Sequence, residues 1–200
     1  MCGCFNPPTV AHQALLTLAR NRIECEGYEV VRGLYVPTHQ SYTKPDLALA
    51  EHRVEMCRLA SEATDWIEVE RHDVDQKEWC HLVETLADVQ IKYPDCRLFV
   101  VCGSDLVMRW NDPIWPPDQV ATILTQYGVI VAARVDTEEI MTKVPILRGR
   151  EKYLHMIPDN PIGGLSSTKV RKLVRAGKKF DGMVIPAVGS YILSQHLYAE

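Results

Sequence analysis

Two hydrophobic periods alternate along this chain. Apolar residues at Ala11, Leu15, Leu18 and Ala19 recur at helical spacing, and the run that follows, residues 29–36 (EVVRGLYV), is short, apolar and rich in β-branched side chains. This pattern predicts a helix feeding a buried strand. Ala50, Val54, Cys57 and Ala60 mark a second helix, with a short strand at 66–69; Trp79, Val83, Leu86 and Val89 mark a third, followed by the most strand-like run of the chain, 97–102 (RLFVVC), which stops at Gly103. After the proline-rich NDPIWPP come a short helix at 118–125, a strand at 127–133 (YGVIVAA) and a shorter strand at 153–157. A helix over 168–176 with Gly177 as its stop, and another after Pro186, complete the pattern.

Apolar strands that alternate with helices pack as a parallel sheet with helices on both faces, the doubly wound α/β class, and ligands then bind at the carboxyl ends of the strands. No linker, repeat or low-complexity segment interrupts the 200 residues, so the expectation is a single domain over 1–200.

Composition narrows the function. Lys+Arg 22 against Asp+Glu 26 gives a net charge of −4, which argues against a phosphate-backbone grip on nucleic acid, since that needs a basic surface. Any anion site must be local. No run approaches the ~20 apolar residues of a spanning helix, and the N-terminus lacks a secretory layout, so no membrane partner is expected. Seven scattered cysteines suit reduced thiols, and the expected compartment is the cytoplasm, with the nucleus as an alternative.

Two segments carry candidate chemistry. In GCFNPPTVAH (3–12) a glycine, an asparagine and two prolines fix a turn, Thr9 can cap the helix that follows, and His12 lies in its first turn. Backbone N–H groups of such a loop and helix start attract phosphate, and His12 holds a donor nitrogen at the same mouth. The plainer reading makes Thr9 a simple cap and His12 a surface histidine. In GLSSTKVRKLVRAGKK (164–179) a Ser/Thr cluster opens a helix, and Lys169 and Arg171 bring charge to its N-terminal end. The plainer reading there is a capped basic helix with Arg171, Arg175 and Lys178 on one solvated face. Two anion-binding helix starts in one acidic chain suggest a polyphosphate ligand.

GCFNPPTVAH together with LSSTKVR resembles the nicotinamide or nicotinate mononucleotide adenylyltransferases, nucleotidyltransferases with TxxH or HxGH and SSTxxR signatures. The likeness runs from Gly3 to about Tyr198, and is nearest the eukaryotic type through Thr9, Tyr42, His52, Arg53, QKEW (76–79), CGSD (102–105), Ile114, Trp115 and the stretch from Tyr127 to Arg134. The resemblance implies a Rossmann-like fold and transfer of the adenylyl group of ATP to the mononucleotide phosphate, giving the dinucleotide and pyrophosphate. Mg²⁺ would accompany ATP, carried by its phosphates with no protein metal site. Direct in-line attack needs no enzyme nucleophile, and positioning with charge neutralisation suffices.

On that resemblance His12 and Arg171 are the catalytic residues, His12 stabilising the α-phosphate transition state while Thr168, Lys169 and Arg171 hold the β and γ phosphates. Gly3 and Cys4 would meet ATP through backbone, Val170 would line its site, and Gly103 and Asp105 would take ribose hydroxyls. The mononucleotide falls to Phe5, Lys44, Trp79, Ile114, Trp115 and Arg134, with Lys44 on its phosphate and the two tryptophans on the pyridine ring. Core packing is the competing reading of each tryptophan, and a helix cap that of Asp105. Relatives are commonly oligomeric, which leaves a homo-oligomer open.

The sequence departs from the family in four places. Leu82 stands where a threonine is expected three residues after the QKEW tryptophan, and Gly163 and Gly164 replace an Asn-Asp before SST. A long insertion of some animal members is reduced to a turn around Pro94, and with it goes any nuclear-targeting run. The family's first strand is represented by Met1 and Cys2 alone, so the first strand is expected to be truncated, with a recorded start that comes too late favoured over a fold that tolerates a gap.

Other classes fit less well. No GxGxxG follows a strand and no Walker A loop is present, which excludes a dehydrogenase or P-loop reading. Cys2 and Cys4 form a lone pair without spaced histidines, which makes a protein-held zinc weak, and nothing supports a cysteine nucleophile. Another small-phosphate adenylyltransferase, or an inactive or chaperone-like nucleotide-binding relative, is the remaining alternative.

Overall fold

The computed structural model describes residues 1–42, 44, 46–133, 137–157 and 164–199. In chain order the elements begin with β1 (Cys2–Gly3), α1 (Val10–Glu24), β2 (Gly33–Pro37), α2 (Ala50–Ser61), β3 (Ile67–Val69) and the one-turn α3 (His72–Asp75). They continue with α4 (Leu82–Lys92), β4 (Val100–Gly103), α5 (Ser104–Val107), α6 (Pro117–Thr122), β5 (Val129–Ala132) and α7 (Thr137–Lys143). The series closes with β6 (Leu154–Ile157), α8 (Ser167–Arg175) and α9 (Pro186–Ser194).

The contacts group the chain into two compact units, Met1–Leu16 with Val30–Cys80 and Ile162–Glu200, and Thr17–Glu29 with His81–Pro161. Each holds a three-stranded parallel sheet. In the first the order is β1-β2-β3, with Cys2 opposite Val36 and Gly33 opposite Ile67. In the second it is β4-β5-β6, with Val100 opposite Val129 and Val129 opposite Leu154. The α/β class and the parallel pairing stand, and the described strands associate in threes.

In the second unit β5 is the middle strand and all four of its residues are buried, as a strand flanked by partners and covered by helices requires. Its core joins Val129 and Val131 to Val100, Cys102, Val107, Trp110, Ile123, Leu124 and Ile140. In the first unit Tyr35, Val36, Met56, Cys57 and Ile67 are buried together with Val170, Val188 and Ile192, so the last two helices close a core begun by the early strands. Each such side chain contributes roughly 1.5–3 kcal/mol by leaving water.

Local chemistry adjusts several boundaries. The strand expected at 29–36 begins only at Gly33, and that expected at 97–102 is Val100–Gly103. The one expected at 127–133 starts at Val129, because Tyr127 ends a π-turn that Gly128 closes at φ +85, a conformation natural only to glycine. Trp79 lies outside its expected helix, which starts at Leu82. Helix α1 buries Leu16, Ala19 and Ile23, so of the four expected positions Ala19 is buried while Ala11, Leu15 and Leu18 are half-buried. Helices α3 and α5 are single turns, too short for periodicity to show.

The first strand is indeed short, yet paired. Gly3 lies opposite Pro37, the terminal amino group donates to Leu34 O at 2.8 Å, and Val36 N–H donates to Met1 O at 3.0 Å.

Candidate active site

The loop from β1 to α1 is held rigid from three sides. Phe5 sits in the left-handed region at φ +45, and its ring, 1% exposed, packs between His12 at 5.2 Å and Tyr35 at 5.1 Å. Asn6, 2% exposed and followed by a cis bond to Pro7, donates through Nδ2 to Asp46 O at 2.7 Å; its Oδ1 accepts from Ala48 N at 3.1 Å and from the Tyr198 hydroxyl at 2.8 Å. Beneath it the wholly buried Arg53 donates to Cys4 O at 3.1 Å, Thr38 O at 2.8 Å and Ala48 O at 3.0 Å. Burial lowers the Arg53 pKa from its ordinary value, and three carbonyl dipoles take the place of a carboxylate partner.

At the start of α1 the main-chain N–H of Thr9 donates to His12 Nδ1 at 3.0 Å, while the Thr9 hydroxyl lies 2.9 Å from the same nitrogen. This is one half of a capping box, with histidine in the usual glutamate position accepting from the N-cap N–H, while the His12 main-chain N–H itself donates to Thr9 O at 3.0 Å. Val10 N–H donates to Met183 O at 3.1 Å, so the chain before α9 also closes this helix end.

Helix α8 opens on Ser166, whose hydroxyl accepts from Lys169 N at 3.2 Å, and ends in a Schellman arrangement: Gly177 at φ +59, Gly177 N–H to Val174 O at 2.9 Å and Lys178 N–H to Leu173 O at 2.9 Å. Two of its side chains reach the first loop across most of the sequence. Ser167 Oγ donates to Pro7 O at 2.8 Å, and Arg171 Nη1 donates to Asn6 O at 2.9 Å. Arg171 is 7% exposed and its buried Nε has no protein hydrogen-bond partner, so Arg171 is not part of a solvated basic face. Arg175 is exposed and pairs with Asp46 at 2.9 Å.

The structure thus attaches the start of α8 to the 3–12 loop through Ser167 and Arg171. Thr168 and Lys169 are exposed. Phe5 and Val170 are buried in side chain, so what they offer a ligand is main chain. Trp79, in the segment that follows α3, is half-buried, and Lys44 is exposed. Arg134 and Gly163 lie outside the described residues.

In the second unit Gly103 ends β4 and Asp105 stands exposed in the first turn of α5, its carboxylate folded so close over Gly103 that a side chain at 103 would collide with it. Trp115 is half-buried against Trp110 at 6.5 Å between ring centres, and Ile114 is 42% exposed. Leu82, the residue in place of the expected threonine, packs on the apolar core of this unit.

Asn6, Arg53 and Tyr198 are the supports that a motif reading undervalues. Asn6 reads as a turn former and Arg53 as one matching position, while nothing local marks Tyr198, whose hydroxyl acts at a sequence distance of 192.

Residues 1–173 match the cytidylyltransferase-like family model. A nicotinamide/nicotinic acid mononucleotide adenylyltransferase of Oryza sativa is 30% identical over 209 residues, covering 99% of this chain and 84% of the relative. Its counterpart in Arabidopsis thaliana is 27% identical, covering 99% and 88%. The solved structure of Plasmodium falciparum nicotinic acid mononucleotide adenylyltransferase complexed with APC superposes with a TM-score of 0.66 at 21% identity, covering 98% of this chain and 94% of that one, a likeness of fold. The protein described here therefore belongs to the cytidylyltransferase-like family and, within it, to the nicotinamide/nicotinic acid mononucleotide adenylyltransferases.

Proposed function

We propose that this protein transfers the adenylyl group of ATP to the phosphate of nicotinamide or nicotinate mononucleotide, releasing pyrophosphate and forming NAD or its deamido counterpart. The observation that carries this reading is the attachment of α8 to the first loop through Ser167 and Arg171, which joins the start of α8 to the loop that leads into His12. The mononucleotide phosphate attacks the α-phosphorus in line, and the pyrophosphate leaves on the opposite side. No residue needs to act as nucleophile or base, because the attacking oxygen is already anionic. Charge on the nonbridging oxygens is met by the Nε2–H of His12, by the Arg171 guanidinium and by the first main-chain N–H groups of α8, which lack an acceptor within the helix.

Thr168 and Lys169 hold the β and γ phosphates, and Gly3, Cys4 and Val170 contribute main-chain contacts to ATP. The ribose hydroxyls fall to Gly103 and Asp105. The mononucleotide falls to the Phe5 main chain, Lys44, Ile114 and Arg134, with Trp79 and Trp115 on its ring. The groups placed on the phosphates are N–H donors and cations, chemistry suited to phosphate oxygens, so Mg²⁺ would be carried by ATP itself and would supply charge neutralisation to its β and γ phosphates.

All seven cysteines are unpaired thiols and no described helix is long and apolar enough to cross a membrane, which supports placing the protein in the cytoplasm. We treat 1–200 as one catalytic domain, with association into a homo-oligomer still to be measured by sizing. The deciding assay supplies ATP, Mg²⁺ and either mononucleotide to the purified protein and measures dinucleotide and pyrophosphate; no product from either substrate would overturn the reading, and the ratio of the two rates gives the preference.

A further inference from the structure

The fold assembles a group of metal-ligating side chains that their sequence spacing does not advertise. His72 and Asp73 stand on α3 and Cys80 lies at the end of the QKEWC segment, and one ligand atom from each falls within 4.8 Å of the other two. The Cys80 thiol is 3.8 Å from Asp73 Oδ1, and Asp73 is 7% exposed.

We propose that His72, Asp73 and Cys80 form a site for a thiophilic divalent cation, Zn²⁺, with solvent in its fourth position. Imidazole, carboxylate and thiolate are the ligand types that Zn²⁺ takes, and bonds of about 2.0–2.3 Å place tetrahedral ligand atoms about 3–4 Å apart. The 4.8 Å envelope therefore contracts onto an ion by small side-chain rotations. Binding deprotonates Cys80, releasing that proton to solvent. The site ties α3 to the residue that follows Trp79, and so restrains the main chain of that tryptophan. This last consequence rests on the assignment of Trp79 to the mononucleotide; the metal site does not.

The test uses the full chain, freed of metal by chelation and titrated with Zn²⁺ and, separately, with Co²⁺. The expected result is one ion per chain, a thiolate-to-cobalt charge-transfer band, and a rise in melting temperature on adding Zn²⁺. Cys80→Ser and His72→Gln should each weaken binding by about tenfold or more, whereas Cys25→Ser, at an exposed cysteine remote in sequence, should bind as the parent does. Absence of the thiolate band in the parent protein, or equal binding by the parent, Cys80→Ser and His72→Gln, overturns the proposal. Neither outcome depends on adenylyl transfer.

Discussion

The main-chain N–H of Thr9 donates to Nδ1 of His12 at 3.0 Å, and this bond determines the tautomer of the ring. A hydroxyl can rotate to give or accept, but an amide hydrogen is fixed by the backbone. Nδ1 must therefore be the bare nitrogen, and the proton of the neutral imidazole resides on Nε2. The donor that the proposed chemistry needs is set by the fold before ATP arrives.

His12→Ala should then lower kcat by about 10²–10³ with a much smaller change in the KM for ATP, since the lost donor acts on charge that grows in the transition state. Thr9→Val keeps the amide and loses only the hydroxyl, and should stay within about tenfold of the parent in kcat, with about 1 kcal/mol less stability from the lost hydroxyl–imidazole hydrogen bond. Steady-state kinetics and denaturant melts on the two variants check both statements. Similar kcat losses in the two would remove the tautomer argument.

Arg171→Lys should behave as a disruptive change. A lysine keeps the charge but cannot both donate to Asn6 O from the same buried position and present a second planar donor, so activity should fall by at least about 10². The melting temperature should fall with it, because a hydrogen bond from a charged group contributes about 1.5–3 kcal/mol. A thermal shift measurement beside the assay separates this outcome from a purely catalytic loss.

Asn6→Ala removes a side chain with three partners, Asp46 O, Ala48 N and the Tyr198 hydroxyl. Buried polar groups left unpaired cost about 1–3 kcal/mol each, so this variant should be among the least stable single changes. Tyr198→Phe removes one of the three bonds and should cost about 1 kcal/mol. Urea midpoints should fall in that order.

Tyr35 offers the opposite case. It is 0% exposed and its hydroxyl has no hydrogen-bond partner, so Tyr35→Phe should be neutral or stabilising, by up to about 1–3 kcal/mol.

The tyrosines also make the fold sensitive to alkali. Burial pushes the hydroxyls of Tyr35 and Tyr198 above the ordinary tyrosine value, with Cys57 adding to both and Arg171 and Arg53 opposing the shift at Tyr198. In the unfolded chain a tyrosine ionises near pH 10. The stabilising effect of holding it neutral is thus complete below about pH 10 and is lost as pH rises toward the folded value, where the unfolded state has fewer bound protons. Melting temperatures measured from pH 9 to 11.5 should decline, and less steeply in Tyr35→Phe.

Much of the architecture is legible along the chain because it is local. Helix α2 is announced by Ala50, Val54, Cys57 and Ala60, and the stop of α8 by Gly177, since periodicity and left-handed turns depend on neighbours a few residues away. The strand ends are less so: Tyr127 belongs to a π-turn and not to β5, because Gly128 N–H bonds back to Ile123 O, a choice made by hydrogen-bond closure and not by hydropathy.

The sequence by itself determined the α/β class, the parallel strands and the two segments that hold His12 and Arg171, because each is written in residue types at short spacing. Only the tertiary structure decided that Arg171 turns inward to the carbonyl of Asn6, that Tyr198 steadies the same loop, and that His72, Asp73 and Cys80 converge. Burial and long-range hydrogen bonding are properties of packed neighbours, and no spacing along one strand or helix encodes which distant atom will occupy the other side.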